Sequence, residues 1–331
     1  RLEALAADAK TSWRVTDSDW QRYKLYDRFR KISERALRET STAYAPWIVV
    51  EGSDPNYRYL TVGRTVLDAM RKRLSGKRIA TSRAAALPEP AVDGRTLLSG
   101  VDYSRKLAHK EYSKKLEKYQ GELNRLSRHK KFRQKSLVVV FEGADAAGKG
   151  GAIRRITGAL DARHYQITPV AAPSEEERAQ PYLWRFWRNL PRTGRVTIFD
   201  RSWYGRVLVE RVEKFCSEDD WMRAYHEIND FEEQLVEAGG IVTKFWLTIT
   251  KEEQLRRFRA REDSPHKRHK MTAEDYRNRK KWDANLRAAE DMIARTDTPH
   301  APWIVVMGDD KRHARCRHAV SRAAINRVAA R

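Results

Sequence analysis

At 331 residues the chain exceeds one ordinary domain and falls short of two, so one complete domain with an additional piece is expected. A hydrophobic share of 40% beside 34% charged residues, with a mean hydropathy of -0.78, allows a real core under an ionic surface and excludes a disordered chain; no apolar run nears the about 18 residues that a bilayer span needs. The net charge of +22 and pI near 10.1 call for a polyanionic partner, with nucleic acid, anionic lipid and inorganic polyphosphate as candidates and an inert basic surface as the alternative.

Taken from the start, residue 1 is Arg and no basic-then-apolar leader follows, so no secretory signal is expected. The segment Ala45-Pro46-Trp47-Ile48-Val49-Val50 recurs as Ala301-Pro302-Trp303-Ile304-Val305-Val306 at an offset of 256. At the same offset Thr16, Asp19, Lys24, Asp27, Glu34, Gly52 and Asp54 meet Thr272, Asp275, Lys280, Asp283, Glu290, Gly308 and Asp310. Residues 1–75 therefore read as the C-terminal remnant of a first, non-catalytic repeat, which leaves Trp47 to Val50 as a strand without its sheet. Residues 76–100, rich in Ala, Pro and small polar groups, read as a linker, and 101–331 as the complete second unit.

Within that unit Leu116, Tyr119, Leu123 and Leu126 recur at helical spacing between Asp102 and Lys131. Strand-like runs follow at Leu137 to Phe141, Gln166 to Val170, Val196 to Phe199, Ile241 to Leu247 and Trp303 to Val306, separated by helical stretches. Such alternation predicts an α/β fold with a parallel sheet. The first run enters Gly143-Ala144-Asp145-Ala146-Ala147-Gly148-Lys149-Gly150-Gly151 and then a helix. Backbone amides in that arrangement, over Gly143, Ala146, Ala147, Gly148, Lys149, Gly150 and Gly151, wrap a phosphate at a helix N-terminus while Lys149 reaches an outer oxygen. Gly150 stands where a P-loop usually carries the hydroxyl that binds Mg²⁺, so carboxylates must replace it. Asp145 and Asp200 are the candidates, Asp200 having a helix N-cap as its alternative. Arg201 is assigned to phosphate; Arg206 faces phosphate or pairs with Glu210.

Glu175-Glu176-Glu177 reads as a helix start, and Trp184, Trp187, Trp246 and Trp303 as core aromatics, with nucleobase platforms as the alternative. Cys216 and Cys316 have neither metal nor redox spacing, which fits a reducing cytoplasm. Arg256, Arg257, Arg259 and Arg261 crowd a helix beginning near Lys251, followed by His266-Lys267-Arg268-His269-Lys270. This is the composition of a lid that carries cations over a transferring phosphoryl group, about residues 251–285, with a solvated basic face as the alternative.

The loop Glu142 to Gly151, the stretch Tyr182-Leu183-Trp184-Arg185-Phe186-Trp187, the segment Phe199-Asp200-Arg201-Ser202-Trp203-Tyr204-Gly205-Arg206 and the lid together resemble the polyphosphate kinase type 2 family, across essentially the whole second unit. The duplication resembles its two-domain class, in which phosphoryl passes from polyphosphate to a nucleoside monophosphate, chiefly AMP. The resemblance implies a P-loop kinase three-layer sandwich with a central five-stranded parallel sheet, helices on both faces and a helical lid. It implies Mg²⁺ on Asp145 and Asp200, phosphates on Lys149 and Arg201, and Arg261 as the lid arginine; Arg257 and Lys267 of the cation-rich lid are expected as further phosphate contacts. A cytoplasmic homo-oligomer without specific nucleic-acid or membrane binding is expected. His269 stands where that family's lid is expected to carry an aromatic and Asn285 where it carries Tyr, which bears on lid closure and substrate fit. Transfer to a nucleoside diphosphate, polymer formation, an ATP-dependent nucleotide kinase and a non-catalytic polyanion-binding module are the competing readings.

Overall fold

Strands rich in Val, Ile and Phe form wherever both faces can be covered, and here they are. A computed structural model describes residues 1–42, 45–75, 98, 100–266, 268, 271 and 273–319; residues 76–97 and 99 of the linker expected over 76–100, Lys267 and His269 lie outside the described residues, while Leu98 at that linker's end is buried in the core of the second unit. The chain divides into two compact units, Arg1–Arg83 and Ala84–Arg331.

In the second unit five strands, β1 (Ser136–Gly143), β2 (Tyr165–Pro169), β3 (Val196–Asp200), β4 (Gly240–Thr248) and β5 (Trp303–Met307), make one sheet in the order β2-β3-β1-β4-β5. All neighbours are parallel, with Phe141 of β1 opposite both Asp200 of β3 and Phe245 of β4. Val138, Val140 and Val242 face one layer, the helices Glu218–Glu237 and Trp282–Thr296, through Ile228, Phe231, Met292 and Ile293. Leu137, Val139 and Phe141 face the other, the helices Lys149–Thr157 and Lys311–Ala319, through Ile153, Ile156 and Ala314. The parallel α/β sheet is the one the strand–helix alternation predicts, and its three layers are those of the P-loop kinase sandwich that the resemblance implies.

The amphipathic segment from Asp102 resolves into the helix His109–Ser127, whose Gln120 and Asn124 amides donate to the carbonyls of Arg155 (2.8 Å) and Ala159 (2.9 Å). Ser174 caps the acidic helix Glu175–Arg178, and Ser217 caps Glu218–Glu237 through a reciprocal box with Asp220. Trp246 and Trp303 are core residues as expected, while Trp187 is partly exposed with its ring edge-on to Phe231. No helix among the described residues is long and apolar enough to cross a membrane.

The first unit contains the helices Leu2–Ala7, Asp17–Lys24, Tyr26–Thr40 and Pro55–Leu74. None of its described residues up to 75 is buried. The expected strand over Trp47 to Val50 does not form, and Trp47 and Val49 are 60% and 80% exposed. The reason is visible in the second copy, where Trp303 is held in register by pairing with Lys244 of β4; among the described residues the first unit supplies no such neighbour.

Candidate active site

The loop between β1 and the helix Lys149–Thr157 closes on itself through glycine geometry. Gly143 adopts φ +139°, where a side chain would overlap the Leu247 carbonyl, and Gly148 adopts φ +112°. Ala146 is also left-handed at φ +63°. The amides of Asp145, Ala146, Gly148, Lys149 and Gly150 donate no hydrogen bond within the protein among the described residues, so they stand available at the positive end of the helix. Gly308, after β5, packs so close to the loop that a β-carbon there would lie 3.1 Å from the Ala147 carbonyl oxygen.

Four charged side chains meet at this edge. Asp145 Oδ1 pairs with Arg201 Nη2 at 3.1 Å, and Asp145 Oδ2 accepts from Asn278 Nδ2 at 2.9 Å. Lys149 Nζ donates to the carbonyls of Gly143 (2.7 Å) and Ala144 (3.3 Å). Burial holds its pKa below the usual lysine value, with Arg201 adding to the shift and Asp145, Glu142 and Asp200 opposing it. Asp200 ends β3, and its carboxylate accepts no hydrogen bond among the described residues. It is not a helix cap, because Ser202 caps the turn Trp203–Arg206 instead. Beneath the loop Glu142 is buried and accepts from Ser202 Oγ at 2.8 Å, and burial pushes its carboxyl above the ordinary range against the pull of Lys149 and Arg201.

Two expected phosphate contacts are committed elsewhere. Arg206 pairs with Glu210 at 2.9 Å and lies over the Tyr182 ring at 4.5 Å, the helical-turn alternative. Arg257 is buried and reaches the loop from behind, donating to the carbonyls of Ala146 (2.9 Å), Ala147 (3.1 Å) and Asp309 (3.2 Å) and pairing with Glu253 at 2.5 Å. It shapes the cradle rather than lining it. Arg256 pairs with Glu253, whereas Arg261 makes no ion pair among the described residues. Helix Lys251–Glu262 is capped by Thr250, itself anchored on Asp309.

Several contributors escaped the sequence reading. Gln254 Nε2 donates to the Asp145 carbonyl at 3.1 Å and Asn278 holds its carboxylate, both from more than a hundred residues away. Arg315 lies beside Gly151, with its guanidinium 3.9 Å from where a β-carbon would stand. Trp282 and Leu286 join Leu208, Val209 and Trp246 in an apolar wall of the cleft that Asp145 and Arg201 border. Asn285 also lines this cleft and donates to the carbonyls of Asn278 (3.2 Å) and Lys281 (3.1 Å). Only their helical spacing after residue 273 could have signalled one shared wall.

As a metal site, Asp145 and Asp200 offer the hard oxygens that Mg²⁺ prefers. Among the described residues no group of three or more His, Cys, Asp or Glu side chains could hold a metal alone. The donor set fits an ion that completes its shell with phosphate oxygens and water.

The sequence profile of the family described as polyphosphate kinase 2 matches residues 1–78 and 106–330. A polyphosphate:AMP phosphotransferase of Pseudomonas aeruginosa is 56% identical over 316 residues, 95% of this chain and 64% of that protein. One of Acinetobacter johnsonii is 43% identical over 297 residues, 90% of this chain and 59% of that protein. The chain thus spans less than two thirds of the length of these relatives. A GDP-polyphosphate phosphotransferase of Mycobacterium tuberculosis is 39% identical over 211 residues, 64% of this chain and 72% of that protein. A Pseudomonas aeruginosa crystal structure assigned to polyphosphate kinase 2 superposes with a TM-score of 0.83 at 52% identity, covering 96% of this chain and 65% of that one.

Proposed function

The chain belongs to the polyphosphate kinase 2 family, and we propose that its P-loop unit transfers the terminal phosphoryl group of inorganic polyphosphate to AMP, giving ADP and a polymer one phosphate shorter. The observation that carries this reading is the convergence of Asp145, Lys149, Asp200 and Arg201 around free loop amides at the sheet's carboxyl edge. The apolar wall of Leu208, Val209, Trp246, Trp282 and Leu286 beside them suits a nucleoside next to its phosphate. Two relatives named for AMP as acceptor support the choice of substrate.

In this reading the loop amides and Lys149 hold the donor's terminal phosphates and Arg201 the phosphates at the transfer point. Arg261 approaches from the lid, about 251–285, and lid closure excludes water that would hydrolyse the polymer. The P–O bond to the bridging oxygen of the polymer breaks as an oxygen of the AMP phosphate bonds to phosphorus. That acceptor oxygen is already ionised near neutral pH, so no general base is required. Asp145 and Asp200 would hold Mg²⁺, which would supply charge neutralisation on the phosphoryl oxygens. Asp145 would release Arg201 from its Oδ1 to do so, which leaves the guanidinium free for phosphate. Residues 1–75 are read as a partial, non-catalytic copy of the same domain, supported by the constant offset and by the two stretches that the family profile matches.

The test follows ADP formation from AMP, polyphosphate and Mg²⁺. Lys149→Ala is expected to lower turnover by about a thousandfold, since it removes the cation that the P-loop itself carries. Near-normal turnover would show that the P-loop does not carry the reaction.

A further inference from the structure

A lysine and a glutamate lie in the core where neither touches the cleft. Lys244, in the middle of β4, and Glu232, on the helix Glu218–Glu237, are both fully buried and pair at 2.7 Å. Every donor and acceptor is used. Lys244 Nζ donates to Glu232 Oε2, to the Tyr204 hydroxyl at 2.8 Å and to the Thr296 carbonyl at 2.7 Å. Glu232 Oε1 accepts from the Tyr204 hydroxyl at 2.7 Å and from Trp203 Nε1 at 3.1 Å. A buried ion pair is rarely worth more to stability than well-packed apolar side chains of the same size, so stability alone is a weak reason for this one.

Its contacts point to another role. Trp203 and Tyr204 follow directly on Arg201 and Ser202, and Arg201 stands at φ +66°, a left-handed conformation that a side chain adopts only at a cost. Such a conformation persists where its surroundings over-determine it. Ser202 is tied to Glu142 at the mouth of the P-loop, and the Arg201 amide donates to the Phe141 carbonyl at 3.0 Å. On the far side the segment is pinned through Trp203 and Tyr204. Phe186, Phe199 and Phe231 surround the Trp203 ring with edge contacts, which fill space, while the hydrogen bond from Nε1 to Glu232 fixes its rotation.

We infer that the Glu232–Lys244 pair is a positioning device for the cation of the proposed chemistry: it holds Trp203 and Tyr204 so that Arg201 keeps its left-handed backbone and its guanidinium stays at the edge of the phosphate cradle, where it now pairs with Asp145. The inference rests on Arg201 acting in phosphoryl transfer, as proposed above. The oxygen of Glu232, rather than its charge, is the working part, because that oxygen accepts from both aromatic donors.

The test compares two paired substitutions that leave no lone charge buried. Glu232→Leu with Lys244→Met removes the acceptor and is expected to lower kcat for ADP formation at least about tenfold, with the KM for AMP changing less than about threefold. Glu232→Gln with Lys244→Met keeps an accepting oxygen and is expected to restore most of the loss. In an Arg201→Ala background the Leu/Met pair is expected to cost less than about twofold more, because the residue it positions is gone. Equal losses in both backgrounds, or an unchanged kcat in the Arg201 background, overturn the inference. If the Leu/Met pair does not fold, Tyr204→Phe replaces it in the same cycle, having lost the hydroxyl that bridges both charges. Normal turnover of Arg201→Ala alone refutes the assignment of Arg201 and the inference with it, whereas an impaired Arg201→Ala with equal losses refutes the positioning role alone.

Discussion

Glu142 illustrates how a single residue below the phosphate cradle is set by opposing forces. Burial favours its neutral form, Lys149 and Arg201 favour its charged form, and burial wins. A carboxyl whose folded pKa is raised binds its proton more tightly in the native state than in the unfolded one. Its contribution to stability is therefore greatest below the unfolded value and is lost as pH rises toward the folded one. Glu142→Gln, which keeps an oxygen for Ser202 Oγ, is expected to gain stability relative to the unchanged protein between pH 4 and pH 7, read as a difference in urea midpoint at each pH. A difference that stays flat or moves the other way would show that the carboxylate is stabilised in place.

Arg257 does the corresponding work for the elements, stapling the helix Lys251–Glu262 to the back of the P-loop and to the turn after β5. Arg257→Met would leave those loop carbonyls unpaired in the interior and strand the Glu253 carboxylate with Arg256 alone, a cost of about 3–5 kcal/mol. Urea denaturation measures this, and Arg257→Lys should recover little, since one ammonium cannot span the separate acceptors that a guanidinium fork reaches. A loss below about 0.5 kcal/mol for the Met variant would place the staple outside the cooperative fold. The same residue shows where sequence reasoning stops. A crowd of arginines on one helix is legible, but which of them turns inward depends on carbonyls more than a hundred residues away. Arg206 divides in the same way, its pairing with Glu210 being a local contact that the four-residue spacing already offered.

For the whole molecule, the strands and the P-loop were legible because both are written locally, as β-branched runs and as glycines at fixed spacing. The apolar wall of the cleft was not legible as one surface, because the pair Leu208 and Val209, Trp246 of β4 and Trp282 come from distant stretches that only the fold brings together. Trp47 to Val50 marks the limit most clearly: the same Trp-Ile-Val-Val that lies in β5 in the second unit makes no strand in the first, since a strand is a property of its neighbours as much as of its sequence. The second unit is the one that holds the P-loop, so the proposed chemistry rests on it. The most direct test supplies the protein with Mg²⁺ and AMP and, in separate reactions, polyphosphate or ATP as the only donor, following ADP and the length of the polymer by chromatography. ADP formed from polyphosphate as the polymer shortens, at a rate well above that with ATP, is the predicted result; ADP formed from ATP alone, with the polymer intact, would contradict the proposed donor.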